Sequence, residues 1–440
     1  MTKRRIDLFG ATSMVVANMV GTGVFTSLGF QLFSVETGFS VVMIWLVGGI
    51  LALLGAFCYA EVASRLPEDG GEFYFLSKIY HPAIGYMAGF VSSTVGFAAP
   101  IAGASLALGA YINGVWPSIN AKLLASVIVI IISVIHANSL KLGMFFQKIS
   151  TVMKLIIIVI FIAAGFILAK QQGVTFSPIP NKSFTEIWKN GWFSSGFAIS
   201  LVWVSFAYSG WNASAYIAGS IKNPSKNLSR SILYGTAIVV VLYVLLNMVF
   251  FKAFSPSEIV SMKGKPEIGL LAARELFGIQ FGDIMGAIIS VLLISTISSM
   301  IFTGPRVLQS MFKDIPALSA LGKHKEDGTP RNAIIFQGVL SLFLLYTMNF
   351  QSLIYYVAFT LSLFTILTVI GMMILRIKKG KPDGYRAWGY PITPIVFISM
   401  TGMVAWFFMN ERPLESLLGL TTSLIGLALY GFKSNGKLSK

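Results

Sequence analysis

The sequence predicts an all-α integral membrane protein with twelve transmembrane helices. Of its 440 residues, 55% are hydrophobic and only 11% are charged, whereas about a quarter of the residues in an average soluble protein are charged. The chain also contains many apolar runs close to the length of about 20 residues that a helix needs to cross a bilayer. These observations exclude a soluble multidomain protein.

Twelve apolar segments can be drawn along the chain, with polar loops between them. Each segment is a candidate span because its composition suits hydrocarbon over most of its length. The twelve segments are residues 8–33, 39–64, 84–112, 123–138, 144–169, 193–219, 232–254, 276–303, 333–348, 353–376, 392–409 and 414–432.

The basic residues are distributed unevenly between alternate loops. Of the 33 lysines and arginines, 23 fall on the side of the amino terminus, nine fall on the opposite side, and Lys154 lies within a span. Because basic residues accumulate in cytoplasmic loops, both termini are predicted to face the cytoplasm. We therefore expect a multi-pass protein of the cell's inner (plasma) membrane, surrounded by lipid.

Residue types that carry enzymatic or metal chemistry are sparse. The chain has one cysteine, Cys58, and three histidines, His81, His136 and His324, which lie far apart in the sequence. None of them has the spacing of a metal site, and no nucleophile or redox motif accompanies them. The formal charge of +16 falls in loops, which indicates topology and not a nucleic-acid-binding face. We expect no metal, no cofactor, no nucleic-acid partner and no enzymatic activity.

The first apolar segment is interrupted in its middle by Val20-Gly21-Thr22-Gly23-Val24. Each glycine costs up to about 1 kcal/mol relative to alanine inside a helix, and backbone groups freed at membrane depth need partners in the protein or in a ligand. An interrupted helix at this depth is typical of a transporter's substrate site. The alternative is a notch for helix packing, which usually places small residues four apart on one face.

The sixth segment carries a second interruption at residues 206–212, Phe-Ala-Tyr-Ser-Gly-Trp-Asn. Segment one starts on the inner side and segment six on the outer side, so each half of the chain opens with an interrupted helix in opposite orientation. Paired interruptions in inverted halves predict a substrate site near the membrane midplane. We expect a transport core over residues 6–376, with repeats over about 6–169 and 193–376, and two further helices within 391–432.

These interruptions resemble the amino acid–polyamine–organocation superfamily of transporters, and in particular its L-type amino acid transporter branch and bacterial relatives. Gly21-Thr22-Gly23-Val24-Phe25 is similar to that family's Gly-Ser-Gly-Ile-Phe, and residues 206–212 are similar to its Phe-Ala-Tyr-Gly-Gly-Trp-Asn. Other matching stretches are Pro67-Glu68-Asp69-Gly70-Gly71, Lys222-Asn223-Pro224 and Gly304-Pro305-Arg306. The resemblance covers essentially the whole chain. It implies a LeuT-like fold of ten helices in 5+5 inverted repeats plus two peripheral helices, which moves amino acids by alternating access.

The interruptions offer partners for both charged groups of an amino acid. Free amides at the amino terminus of a half-helix suit the carboxylate, and carbonyls freed at the broken ends suit the ammonium group. By resemblance, Phe206 lies over the bound substrate, although in a chain with 35 phenylalanines its position alone also allows a core-facing or lipid-facing ring. The predicted substrate-binding residues are Asn18, Val20, Gly21, Thr22, Gly23, Val24, Phe206, Ala207 and Ser209.

Lys154 lies about ten residues, or roughly 15 Å at 1.5 Å per residue, into the fifth segment. Intramembrane charges are costly and usually functional; the alternative is a later helix start, with the side chain snorkelling to the headgroups. In sodium-independent members of the family that this chain resembles, a lysine at this position places its ammonium group where sodium-coupled members bind a sodium ion. The resemblance implies that Lys154 replaces sodium, with a hydroxyl from Ser295, Ser298 or Ser299, and we expect Ser298 to supply it.

Substrate specificity is inferred from missing acidic residues. No aspartate or glutamate falls near the middle of segments one, three, six, eight or ten, and an unpaired second positive charge is costly in a low-dielectric pocket. Neutral amino acids are therefore favoured; cationic amino acids, polyamines or another organic cation are the alternative. A channel or a transporter-like sensor belongs to a different class, and no selectivity-filter motif indicates one.

One partner is also disfavoured by the sequence. Mammalian L-type members carry an outer cysteine between spans three and four that bonds a heavy chain. Residues 113–122 contain no cysteine, so we expect no disulfide-linked heavy chain.

Overall fold

The structure, a computed structural model, describes residues 6–32, 38–138, 140–168, 195–254, 258, 262–312 and 318–438. Within these residues it consists of helices and their connections, with one isolated parallel bridge between Ile6 and Ile221. The helices are α1 (Leu8–Met19), α2 (Thr22–Gln31), α3 (Gly38–Arg65), α4 (Glu72–Ile79), α5 (Pro82–Val91), a π-helix (Ser92–Ala98), α6 (Ala99–Val115), α7 (Ala121–Asn138), α8 (Leu140–Leu168), α9 (Ser195–Ala207), a 3₁₀-helix (Ala213–Ser220), α10 (Pro224–Ala253), α11 (Ile268–Phe277), α12 (Ile279–Phe312), α13 (Ser319–Gly322), α14 (Arg331–Thr347), α15 (Phe350–Lys379), α16 (Ile392–Glu411) and α17 (Pro413–Leu438).

Ten helical segments in the described part of the chain are long and apolar enough to cross a membrane, by length and composition. Two of the twelve predicted spans do not meet that criterion. The ninth corresponds to α14, a shorter apolar helix of 17 residues. The sixth is divided into α9, which has 13 residues, and the 3₁₀-helix that follows a turn. The predicted helical, multi-pass architecture is confirmed.

The spans differ in how much of their surface the protein itself covers. In Leu8–Gln31 and Pro82–Val115, the first and third spans, 78% of the most apolar window is buried. In Ala121–Asn138 and Ile149–Leu168 the share is 33%, although both are apolar all round, as expected for helices that face lipid. The first and third spans therefore lie at the centre of the molecule.

The third span is locally widened. Residues Ser92–Ala98 form a π-helix between α5 and α6. Such wide turns are rare, and they occur frequently at functional sites. This one lies where the central span packs against α12 and α14.

A buried ion pair joins α3 to α15. The Glu61 carboxylate is fully buried and accepts hydrogen bonds from Arg376 Nε at 2.8 Å and from the Ala387 amide at 2.7 Å. Arg65 lies 3.4 Å from the same carboxylate. Removing one partner of such a pair leaves an uncompensated buried charge at a cost of about 3–5 kcal/mol, so these segments are held together. The last helix, α17, packs against α5 and α15.

Candidate substrate site

The first interruption lies between α1 and α2. Val20 has ψ 87° and Gly21 has φ −128° and ψ −147°, so neither continues the helix. Gly21 provides no side chain to cap α2. Among the described residues, no acceptor is bonded to the amides of Thr22, Gly23 or Val24. Because the first amides of a helix have no intrahelical partner, these three amides remain available to an anionic ligand.

The second interruption is longer. Helix α9 ends at Ala207, residues 208–212 form turns, and the 3₁₀-helix starts at Ala213. Gly210 has φ +94°, a conformation that costs a residue with a side chain about 1–2 kcal/mol. In the described part of the chain, no donor is bonded to the carbonyls of Tyr208 and Ser209. This stretch therefore offers acceptors where the first interruption offers donors.

The two interruptions touch each other. A Cβ atom at Gly23 would lie 2.4 Å from the Ala207 Cα atom, so only glycine permits this approach of the two backbones. The Tyr243 hydroxyl of α10 lies 2.5 Å from the Met19 carbonyl and 3.1 Å from the Ala207 carbonyl. One side chain thus bridges the two broken ends. This role was not predictable from the sequence, because a tyrosine in an apolar span is unexceptional.

A cavity of about 160 Å³ lies against both interruptions. Its volume is close to the roughly 150 Å³ of an engineered cavity that binds benzene, so it admits a small organic molecule. Besides the interruptions, the π-helix and α15 contribute to its wall. Seven of the nine predicted substrate-binding residues line it: Asn18, Gly21, Thr22, Gly23, Phe206, Ala207 and Ser209.

Val20 and Val24 do not line the cavity. The Val20 carbonyl accepts hydrogen bonds from Lys154 Nζ at 2.6 Å and from Thr296 Oγ1 at 2.8 Å. The prediction that this carbonyl faces the substrate is therefore wrong, because two protein donors already occupy it. The Val24 side chain is fully buried.

Lys154 is fully buried, which excludes snorkelling to the headgroups. Besides the Val20 carbonyl, its ammonium group contacts Thr296 Oγ1 at 2.7 Å. The expectation that Ser298 supplies the hydroxyl is wrong: Ser298 Oγ lies 2.8 Å from His136 Nε2. Two residues apart on a helix of 3.6 residues per turn, Thr296 and Ser298 point in nearly opposite directions. Of the other two candidates, Ser299 accepts a hydrogen bond from Asn18 Nδ2, and Ser295 Oγ has no hydrogen-bond partner among the described residues.

Glu72 is an acidic residue that the sequence analysis missed. It is the first residue of α4, its side chain is buried, and it lines the same cavity. Its carboxylate accepts hydrogen bonds from Tyr59 at 2.9 Å, from Asn212 at 2.6 Å and from Tyr216. The cavity therefore has a carboxylate in its wall, contrary to the expectation from the span centres.

A membrane protein in which two interrupted helices meet at a buried cavity has the construction of a secondary transporter. The chain matches the family model described as amino acid permease over residues 6–430, and it belongs to that family. The resemblance inferred from the two interruptions is thereby confirmed.

The relatives include bacterial and mammalian transporters. The chain is 29% identical over 434 residues to the serine/threonine exchanger SteT of Bacillus subtilis, covering 97% of this chain and 96% of that protein. It is 26% identical over 431 residues to the mouse b(0,+)-type amino acid transporter 1, covering 94% and 83%. It is also 26% identical over 437 residues to the human large neutral amino acids transporter small subunit 2, covering 97% and 80%. Because these relatives are transporters, the prediction that the protein is not an enzyme is confirmed.

Proposed function

We propose that the protein is a secondary active transporter or exchanger of neutral amino acids that works by alternating access. One observation carries this proposal: Thr22 and Gly23, whose amides at the start of α2 have no bonded acceptor among the described residues, line the cavity. Several free amides at a helix amino terminus, with its positive dipole end, form an anion site. The substrate's carboxylate binds there.

The ammonium group of the substrate binds the acceptors of the second interruption. The carbonyls of Tyr208 and Ser209 are candidates, since both residues line the cavity and no described donor is bonded to them. Phe206 covers the substrate from its side of the cavity. In this pose the two interruptions hold the two charged ends of one zwitterion.

Lys154 fixes the first interruption without a metal ion. Its ammonium group lies 2.6 Å from the Val20 carbonyl, where sodium-coupled relatives of this fold would hold sodium. We infer that transport is independent of a sodium gradient. Thr296 takes the role that was expected of Ser298, because its hydroxyl joins the ammonium group to the same carbonyl.

Neutral side chains fit the cavity better than cationic ones. The relatives named for their substrates include a serine/threonine exchanger and a large neutral amino acids transporter. Both oxygens of Glu72 are engaged by protein donors, so little capacity remains for a substrate guanidinium or ammonium group. The second candidate, a carrier of cationic amino acids, polyamines or another organic cation, is favoured by the presence of that carboxylate in the cavity wall.

The architecture that supports this function is a core over residues 6–376, built as two inverted repeats, with the helices of 391–432 outside it. The distribution of basic residues favours cytoplasmic termini in the plasma membrane. Cys58, the single cysteine of the chain, is buried within α3. A disulfide-linked partner subunit is disfavoured for that reason.

Uptake into proteoliposomes tests the proposal. Liposomes preloaded with unlabelled substrate are expected to accumulate labelled substrate faster than empty ones, which distinguishes a carrier from a pore. Competition by serine, leucine, arginine and putrescine separates the two substrate classes, and inhibition by the last two alone would favour the cationic alternative. Replacing sodium by choline is expected to leave the rate unchanged; a large loss would refute the role of Lys154.

A further inference from the structure

Glu72 joins two parts of the molecule across one end of the cavity. It lies in the connection after α3, and two of its three hydrogen-bond donors are Asn212, the last residue of the second interruption, and Tyr216 of the 3₁₀-helix. The same connection also bonds to this segment through Asp69, whose carboxylate accepts from the Gly219 amide at 2.8 Å. A change in the charge of Glu72 therefore acts directly on contacts between these two segments.

The Glu72 carboxylate has hydrogen-bond donors but no counter-charge in the described residues. The titratable groups that face it are Tyr59 of α3 and Tyr216 of the 3₁₀-helix. Several other charged or titratable groups on the elements packed around α4 interact elsewhere: Glu61 with Arg376 and Arg65, His81 with the Ala83 amide, Tyr86 with the Met311 carbonyl, Arg306 with the Phe302 ring and carbonyl and with Asp69, and Lys78 with the Tyr74 ring.

Burial disfavours the ionised form of Glu72. It raises the pKa of the carboxyl group above its usual value, and the hydrogen bonds from Tyr216, Tyr59 and Asn212 only partly oppose this shift. A raised pKa means that the group takes up a proton at a higher pH than an exposed glutamate does. The direction of the shift thus moves the titration towards neutral pH.

The surroundings of Glu72 satisfy both protonation states. When the group is ionised, the Tyr216 hydroxyl donates to Oε2. When Oε2 carries a proton, the carboxyl group can donate to the Tyr216 oxygen, and the Tyr216 hydroxyl can turn to Ser92 Oγ, 3.4 Å away. Meanwhile Tyr59 and Asn212 continue to donate to Oε1. Glu72, Tyr216, Tyr59 and Asn212 thus each keep a hydrogen-bond partner in both states, so the cost of an unsatisfied group does not oppose proton uptake or release by Glu72.

We propose that Glu72 binds and releases the proton of a proton-coupled amino acid transport cycle. The inference rests on the proposed function and adds the coupling ion. Oε2 forms an O–H bond with a proton from cavity water while the cavity faces one side, and it returns that proton to water on the other side. Hydrogen bonds to an ionised acceptor are roughly twice as strong as neutral ones. Protonation therefore weakens the hold of Glu72 on Asn212 and Tyr216.

The test measures substrate and proton movement together. Purified protein is reconstituted in liposomes that contain a pH-sensitive dye, and the probe is the amino acid that competes best in the panel above. The wild type is expected to acidify the lumen on substrate addition, with uptake that increases as the outer pH falls.

Glu72→Gln copies the protonated state, since its amide oxygen accepts from Tyr59 and Asn212 while its NH₂ group donates to Tyr216. We expect it to lose acidification and pH dependence. Glu68→Gln, an exposed acid of the same connection, serves as the control and keeps both.

The outcomes distinguish the two proposals. Substrate uptake by the wild type without proton movement at any pH would overturn the inference and leave the transporter intact, as would acidification by Glu72→Gln equal to that of the wild type. Absence of uptake for every substrate in the panel would overturn both. If Glu72→Gln folds but does not transport, infrared spectra decide: a protonated-carboxyl band that titrates in the wild type and is missing from Glu72→Gln supports the inference, and its persistence refutes it.

Discussion

The two interruptions differ in how the backbone groups that leave the helix find hydrogen-bond partners. At the first, the chain leaves the helix for two residues, and the freed Val20 carbonyl is bonded by a buried ammonium group and a hydroxyl. At the second, the chain makes turns over residues 208–212 that close their own hydrogen bonds, such as the Ala213 amide to the Gly210 carbonyl at 3.0 Å. The Val20 carbonyl at the first break depends on side chains from other helices, whereas the second break also closes hydrogen bonds within its own backbone. Substitutions should therefore affect them in different ways.

The largest effect is expected where the two breaks meet. Gly23→Ala places a Cβ atom 2.4 Å from the Ala207 Cα atom, and backbone atoms cannot move aside as a flexible side chain would. Overpacking costs about 1–3 kcal/mol even where side chains can adjust. We expect substrate uptake to fall to background. The control is Gly402→Ala in α16, where no atom of the described residues would lie within 4 Å of the added Cβ atom; if both variants transported alike, the close contact would be irrelevant.

The next effect concerns the first break alone. Lys154→Met keeps the length of the side chain but removes the ammonium group from the Val20 carbonyl and from Thr296. A hydrogen bond to a charged group contributes about 1.5–3 kcal/mol, so we expect uptake to fall roughly ten- to a hundredfold. Lys226→Met changes an exposed lysine of α10 and should leave uptake unchanged. Wild-type uptake by Lys154→Met would show that the break needs no cation.

A substitution in the second break should reduce substrate uptake less than Lys154→Met does. Gly210→Ala forces a residue with a side chain to adopt φ +94°, which costs about 1–2 kcal/mol and corresponds to an uptake loss of roughly five- to thirtyfold. Thermal unfolding of the purified variant measures the strain separately from uptake. Gly103→Ala, whose Cβ atom would lie 3.7 Å from the Phe350 ring, is the matched control. A loss larger than that of Lys154→Met would reverse the proposed order of the two breaks.

The smallest effect is expected from the group that bridges the breaks. Tyr243→Phe removes one hydroxyl from the Met19 and Ala207 carbonyls, and a neutral hydrogen bond contributes about 0.5–1.5 kcal/mol. We expect uptake to fall roughly two- to tenfold. Tyr234→Phe on the same helix changes an exposed ring, 53% accessible, and should have no effect. Equal behaviour of the two variants would mean that the bridge contributes nothing.

The location of the breaks was predictable because their signal is local. Glycines and small polar residues in the middle of apolar spans raise the cost of a helix at those positions, and the structure interrupts the chain within the predicted stretches. The breaks can therefore be predicted from the residues that neighbour them in the sequence. The depth of Lys154 along the fifth segment left burial and snorkelling both open, and the family resemblance favoured burial, which the structure shows.

The partners across the site were not predictable from the sequence. The choice of Thr296 over Ser298 depends on the rotation of α12 about its axis, and a sequence with hydroxyls on several faces does not determine it. Glu72 was not predicted as a site residue because it lies in a connection between two predicted spans. The one sequence signal for its burial is the apolar stretch that follows it, residues 73–79, which is more typical of a buried helix than of a solvated loop.

The isolation of Cys58 has a practical consequence. The single thiol of the chain is fully buried in α3, and buried cysteines in apolar surroundings are unreactive. A cysteine introduced at any exposed loop position is therefore the one thiol that a membrane-impermeant reagent can label. The sidedness of every loop, and distances between pairs of spin labels, can be measured on the native background without first removing a cysteine.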